Sequence, residues 1–373
     1  MKVRQICMMV LLGLGVIPAM QAQTFDKLWK EVEQAEKKSL PKTVIKLTDE
    51  IYQKGEKERN SAQMLKAYMW RMKTQDILTP DSFYVGLRDL EQWAKQTEQP
   101  MDRAILHSLI AEFYANYAAD NQWQLRQRTE IVGETPSADI REWTANMFVE
   151  KVRTNVKEAL ADSLLLLKTS SLNYIPFVEL GETSEYYHHD MYHLLASRAI
   201  RALNQIERLE RGSFNGITAS PVKQDIINIY ERMTDAYETA GLKEGYVLTM
   251  LQYLEWKRGN DNKLQPVQLK KGLGEWTADT YNAASDELKR QFKSEPICAE
   301  VYLAQVRYAV EKMQQVNALQ LCDEAIRLYP GYRRINALKN LREEILAPFL
   351  NVSAAMRAMR KVCISAMAII PRG

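Results

Sequence analysis

The sequence predicts an all-α protein: an irregular array of antiparallel helix hairpins, of the tetratricopeptide-like α-solenoid kind. Three observations predict it. Apolar residues recur at spacings of three and four along nearly the whole chain, which is the stripe of a half-buried helix. Glycine and proline number only 15 and 12 in 373 residues, so the helices are long and the connections short. The stretch Ala299–Leu346 holds two amphipathic helices around a polar break and a third after Pro330-Gly331. Its small residues Ala318 and Ala325 fall where the second half of a tetratricopeptide repeat packs two helices closely, although the first half of that repeat is not matched. An apolar share of 46% against 26% charged residues fits a folded, water-soluble chain.

Residues 1–22 have the parts of a secretory signal. Lys2 and Arg4 form a basic start, Ile6–Ile17 an apolar run too short for an ordinary membrane span, and Pro18 breaks it. Cleavage is expected between Ala22 and Gln23, and the absence of a cysteine at that point argues against a lipid anchor. The sequence therefore implies export to the periplasm or cell envelope, with a mature chain that is soluble and makes no stable membrane insertion.

A first helical block, residues 23–125, opens on Phe25, Leu28, Trp29, Val32 and Ala35, one helical face over Phe25–Lys37. Pro41 restarts the chain as a first-turn proline, and Gly55 is expected to end the second helix. Helices follow over Asn60–Lys73, with Met64, Leu65, Tyr68 and Met69 inward, then over Phe83–Gln96 and Met101–Ala118. Aromatic and Met positions at this spacing are core rather than a ligand box. His107, among Leu106, Leu109 and Ile110, reads as a core or boundary residue.

The middle block, residues 126–265, starts a helix near Ser137–Asp139 that carries Trp143, Phe148, Val152 and Val156. The stripe runs on through Leu160, Leu164 and Leu167 as one long helix or two. Ser170–Thr183 suits a loop that crosses or caps the array. Helices are expected over His193–Leu209, Pro221–Ala240 and Gly245–Arg258, with a linker at Glu210–Ser220 and a turn at Gly259–Asn262. The last block, residues 266–350, adds Asp279–Phe292 and the three helices of Ala299–Leu346. Residues 351–373 are an atypical tail with four basic groups and no acid. It reads either as a basic amphipathic segment or as a disordered or frameshifted end, and the second reading is favoured.

The chemistry-bearing residues are few. His188, His189, Asp190 and His193 form the densest cluster, and on a helix His189 and His193 would share a face, as the start of a zinc site does. That pair lacks a third ligand and the interior glutamate of a zincin, and Asp190 has a plainer role as helix N-cap. Metal and cofactor are therefore not expected, and His189 and His193 stand only as candidate ligands. No phosphate-binding loop, dinucleotide glycine fingerprint, nucleophile elbow or CxxC pair occurs, so an enzyme is not expected. Of Cys7, Cys298, Cys322 and Cys363, the middle two lie close enough around one hairpin to pair, but read first as buried small residues. The net charge is +3. Without the six basic residues Lys2, Arg4, Arg357, Arg360, Lys361 and Arg372 it becomes −3, which argues against a nucleic-acid partner.

The runs FDKLWKEVEQAEKKSLPKTVIKLTDEIYQKGEKERN, QWQLRQRTEIV, DIREWTANMFVEKV and HHDMYHLLASRAIRAL resemble the N-terminal helical region of large bacterial alpha-2-macroglobulin-like proteins. Tyr192–Ala199 matches a Tyr-x-x-Leu-Ala-x-Arg-Ala-like stretch of that region, and the likeness covers Phe25 to about Val352. It implies a non-catalytic exported helical module, the N-terminal fragment of a protease-trapping protein, whose partners are that protein's macroglobulin domains or other proteins. The family's bait region and Cys-Gly-Glu-Gln thioester are absent, since Cys298-Ala-Glu300 is followed by Val301. The alternative is a self-contained tetratricopeptide-like scaffold that binds a peptide or envelope protein.

Overall fold

A computed structural model of the protein describes residues 17–79, 82–129, 137–181, 184, 188–210, 220–260, 280–347, 352–354 and 364–366. Among the described residues the secondary structure is helical, apart from two three-residue strands, Val352–Ala354 and Ile364–Ala366, that pair antiparallel. Most of the signal segment, the linker 211–219, the stretch 261–279 and most of the tail lie outside the described residues, while Ala22 and Gln23 fall within the first helix. No helix among the described residues is long and apolar enough to cross a membrane. The chain divides into two compact units, residues 1–236 and 237–373, with the division inside the middle block.

In the first unit, α1 (Ile17–Lys37) packs on α2 (Pro41–Glu58), and α2 on α3 (Ser61–Leu78). Three-residue and two-residue connections force each helix back along its predecessor. Pro41 sits in the first turn of α2 as its fixed φ favours. Gly55 does not end α2. The helix continues to Glu58 and is closed by Arg59 in the left-handed conformation, φ 53°. Gly55 is instead buried where α3 crosses, and a Cβ there would lie 2.9 Å from Met64 Cγ, so the missing side chain serves close helix approach. Asn60 caps α3 by accepting from the Gln63 amide at 3.2 Å. α3 outruns its expected end at Lys73 by five residues, and it buries Leu65 and Tyr68 fully but Met64 and Met69 only in part. Trp29, Tyr52, Tyr68, Trp70 and Trp93 meet edge-on or tilted at 5.7–6.5 Å between ring centres, which makes them core.

α4 (Ser82–Gln96) leads into α5 (Pro100–Asp120), the centre of this unit, which is packed by α4, by α7 (Ala145–Ala159) and by α9 (Met191–Glu207). Twelve of its residues are buried on all sides, so no single apolar stripe describes it. His107 is the boundary residue expected, with Nδ1 2.8 Å from Asn155 Oδ1 on α7. The short α6 (Gln122–Gln127) follows α5. The run from Ser137 is broken three ways. A single 3₁₀ turn spans Ile140–Glu142, α7 follows, and Asp162 caps the separate α8 (Ser163–Lys168) by accepting from the Leu165 amide. The loop after α8 returns across earlier helices: Tyr174 Oη donates to Asp102 Oδ1 at 2.9 Å, and Lys66 pairs with Glu179 at 3.2 Å.

α10 (Pro221–Thr239) spans the division between the units. In the second unit, Gly241 at φ 68° supplies the left-handed turn into α11 (Lys243–Asn260), and α12 (Thr280–Gln291), α13 (Cys298–Glu311), α14 (Gln315–Leu328) and α15 (Ile335–Leu346) follow. One apolar cluster runs through α11–α15 and includes Val247, Leu288, Val301, Val306 and Leu338. Cys298 and Cys322 are both free and buried in it, as small residues rather than a bridge. Ala318 and Ala325 are wholly buried on α14.

Candidate functional site

The histidine cluster is a helix start. Asp190 precedes α9 and is 3% exposed. Its Oδ1 accepts from the His193 amide at 2.7 Å, the bond that satisfies a free donor of the first turn, and its Oδ2 lies 2.5 Å from His188 Nδ1. His193 Nδ1 in turn faces the His188 backbone N–H at 3.4 Å. His189 is exposed and lies before the helix, whereas His193 is 0% exposed inside it. The helical spacing that would put both rings on one face therefore does not apply, because the helix starts at Met191, after His189. Among the described residues no group of three or more His, Cys, Asp or Glu side chains converges on a point where a metal ion could sit. The Ser171 amide on the His189 carbonyl, 3.1 Å, and the Met191 amide on the Thr169 carbonyl, 2.8 Å, tie residues 169–171 to residues 189–191.

A groove between α7 and α10 has a different character. It encloses about 370 Å³. Its floor is Val156, Leu160 and Ile229, each under 10% exposed, and its walls are polar. Each helix contributes one stripe: 153, 156 and 157 from α7, with 160 just past its end, and 225, 228, 229 and 232 from α10. At one part Arg153 Nε donates to Asp225 Oδ2 at 2.6 Å, Nη2 donates to Asp225 Oδ1 at 3.3 Å, and Nη1 reaches Glu150 at 3.0 Å. The Asp225 hydrogen bonds hold the Arg153 guanidinium above its ordinary pKa, against its partial burial. One cation there faces two carboxylates. Lys157 and Arg232 line the same groove, both exposed, and neither forms an ion pair among the described residues. Arg232 also acts on Tyr192, the second residue of α9. Burial pushes the Tyr192 phenol up to about 12, and Arg232 works in the opposite sense.

No protein-family model, curated protein or solved structure matches this chain. The groove chemistry must therefore be read from its own groups. An apolar floor of buried side chains, a neutralised arginine and two unmatched cations suit an extended segment with apolar contacts and a carboxylate. Charge complementarity of this kind steers and orients a partner more than it adds affinity.

Sequence reasoning placed α7 and α10 by their apolar residues and passed over Arg153, Lys157, Asp225 and Arg232. The signal that marks them is the i, i+4 pair Arg153–Lys157 and the i, i+7 pair Asp225–Arg232, each on the edge of its helix's apolar stripe. Their meeting across 72 residues of chain, Arg153 to Asp225, depends on tertiary packing alone.

Proposed function

We propose that the protein is a non-catalytic, exported helical module of the alpha-2-macroglobulin kind that docks on protein segments and carries no bait region or thioester. The observation that carries this reading is the α7–α10 groove, with Lys157 and Arg232 unmatched above an apolar floor. Its occupant is an extended segment bearing Asp or Glu, from macroglobulin domains of the same protein or from a separate chain. The second unit is the tetratricopeptide-like part. Support comes from Ala318, Cys322 and Ala325, each 0% exposed on α14, where small side chains allow helices to pack closely as in such repeats. A photo-cross-linking residue at Asn228 tests the docking reading. The expected product is an acidic segment whose capture is lost in the Lys157→Glu, Arg232→Glu double variant. Capture that persists in that variant, or that selects basic segments, overturns it.

A further inference from the structure

The α7–α10 groove has two unlike ends. Helix directions follow from contacts within the first unit. α5 and α9 run the same way, since Glu112 meets Arg198 and Asn116 meets Gln205. α7 runs against α5, since His107 meets Asn155 while Tyr117, further along α5, stacks on Phe148, earlier on α7. α10 runs against α9, since Lys223 pairs with Glu207 at 3.2 Å and Arg232 acts on Tyr192. α7 and α10 therefore run the same way. Glu150, Arg153 and Asp225 line the N-terminal end of the groove, and Lys157 and Arg232 lie toward its C-terminal end. From Asp225 to Arg232 the helix rises about 10 Å, the length of about three residues of an extended chain.

The C-terminal end carries two cations without an ion pair among the described residues. The N-terminal end carries one cation and two carboxylates, so its net charge is negative. The donors of Arg153 are also committed. Nε and Nη2 both address Asp225, the forked arrangement in which a guanidinium binds a carboxylate, and Nη1 addresses Glu150. Asp225 thus already fills the place on Arg153 that an incoming carboxylate would take. The two side chains are only 29% and 30% exposed, so water and salt screen them less than open surface charges. A second carboxylate on a bound segment would find no uncommitted guanidinium fork there and two like charges. An amide or an ammonium group would find two carboxylates able to accept from it.

We infer that Asp225 sets the specificity of this groove, an inference that rests on its proposed docking role. The groove admits one carboxylate, beside Lys157 and Arg232, and refuses a second beside Arg153. The accepted segment then carries Asp or Glu with an uncharged polar or basic residue about three positions away. Fluorescence anisotropy of the full chain tests this with labelled peptides centred on Glu-Leu-Ala-Xaa, where Xaa is Lys, Gln or Glu. The unmodified protein should bind the Lys peptide tightest and the Glu peptide weakest, about 3-fold or more below the Gln peptide. Asp225→Asn keeps the shape and removes the charge, so the Glu peptide should gain about 3- to 5-fold and become the tightest of the three. A merely structural ion pair would move all three peptides alike. The order of the peptides on the unmodified protein is itself a test, whatever Asp225→Asn does to stability. No binding of any peptide, or binding that survives the Lys157→Glu, Arg232→Glu double variant, overturns the docking role and the selectivity with it. Binding that is lost in the double variant but favours the Glu peptide, treats the three alike, or keeps its order in Asp225→Asn overturns the role of Asp225 alone.

Discussion

Replacing Arg334 by Met should destabilise the second unit in a way that depends on pH. Glu300 on α13 is 5% exposed; it accepts from Arg334 Nη1 at 2.5 Å and from Tyr332 Oη at 2.9 Å. Arg334, 6% exposed, is the cation that makes this charge tolerable. Removing one partner of a buried pair leaves an uncompensated charge, at a cost of about 3–5 kcal/mol. Burial already holds the Glu300 carboxyl above its ordinary value of 4.5, although Arg334 and Tyr332 pull the other way. A carboxyl whose folded pKa is raised binds its proton more tightly in the native state. Its contribution to stability is complete below the unfolded value and is lost as pH rises through the folded one. Without Arg334 the folded value rises further, so the deficit of the variant grows with pH. At pH 8 the full cost of about 3–5 kcal/mol is expected. Toward pH 5 a growing share of the side chains takes up its proton, and the loss shrinks toward that of a hydrogen bond, about 1 kcal/mol. Urea unfolding followed by far-ultraviolet circular dichroism at both pH values measures the difference. Equal losses at pH 5 and pH 8, or a loss under about 1 kcal/mol at pH 8, would refute the reasoning.

Four further outcomes are expected. Asp190→Ala should cost about 1–2 kcal/mol in thermal unfolding, because the cap of α9 and the His188 bond both go. His193→Ala should destabilise by about 2–3 kcal/mol through the emptied core, while the exposed His189→Ala stays within about 0.5 kcal/mol; equal effects would contradict the placement of the two rings. Gly245→Ala should lower stability by about 1–3 kcal/mol in denaturant titration, since its Cβ would lie 2.5 Å from the buried Tyr237 ring. Cys298 and Cys322 should resist a thiol reagent at pH 8 and react once urea unfolds the chain. Burial raises both thiols, Cys322 to about 11, and prompt labelling of the native protein would show that they are accessible.

The helices were legible because their signal is local. Trp29, Val32, Leu65, Phe148 and Val152 all sit on the stripes read from spacing, and all are buried. Capping was legible at Asp190 for the same reason: one side chain and the first turn of one helix decide it. Gly55 was misjudged because sequence alone does not distinguish a glycine that ends a helix from one that admits a neighbour. The deciding atom, Met64 Cγ, belongs to the next helix. The break at Thr144 was hidden by an apolar stripe that continues through the 3₁₀ turn into α7. The groove was out of reach for a stronger reason. Its ion pair joins residues 72 positions apart, and no periodicity reports which polar faces of two helices meet.

Those polar faces are nevertheless not independent of the core. Val156 and Ile229 must turn inward, at 5% and 7% exposure, for α7 and α10 to bury their stripes. A helix turns about 100° per residue, so fixing Val156 inward sets Arg153 and Lys157 on the adjoining edge, and fixing Ile229 sets Asp225 and Arg232 on theirs. The register that builds the core therefore also places the rim charges. Sliding either helix by one residue would carry Lys157 or Arg232 off the rim and expose a core side chain at once. A charged rim made this way is stabilised by the hydrophobic contacts beneath it and needs no separate scaffold. Lys157 and Arg232 can then be reversed together without unfolding the protein, as the double variant requires, because exposed charges outside a paired network each contribute within about 0.5 kcal/mol to stability.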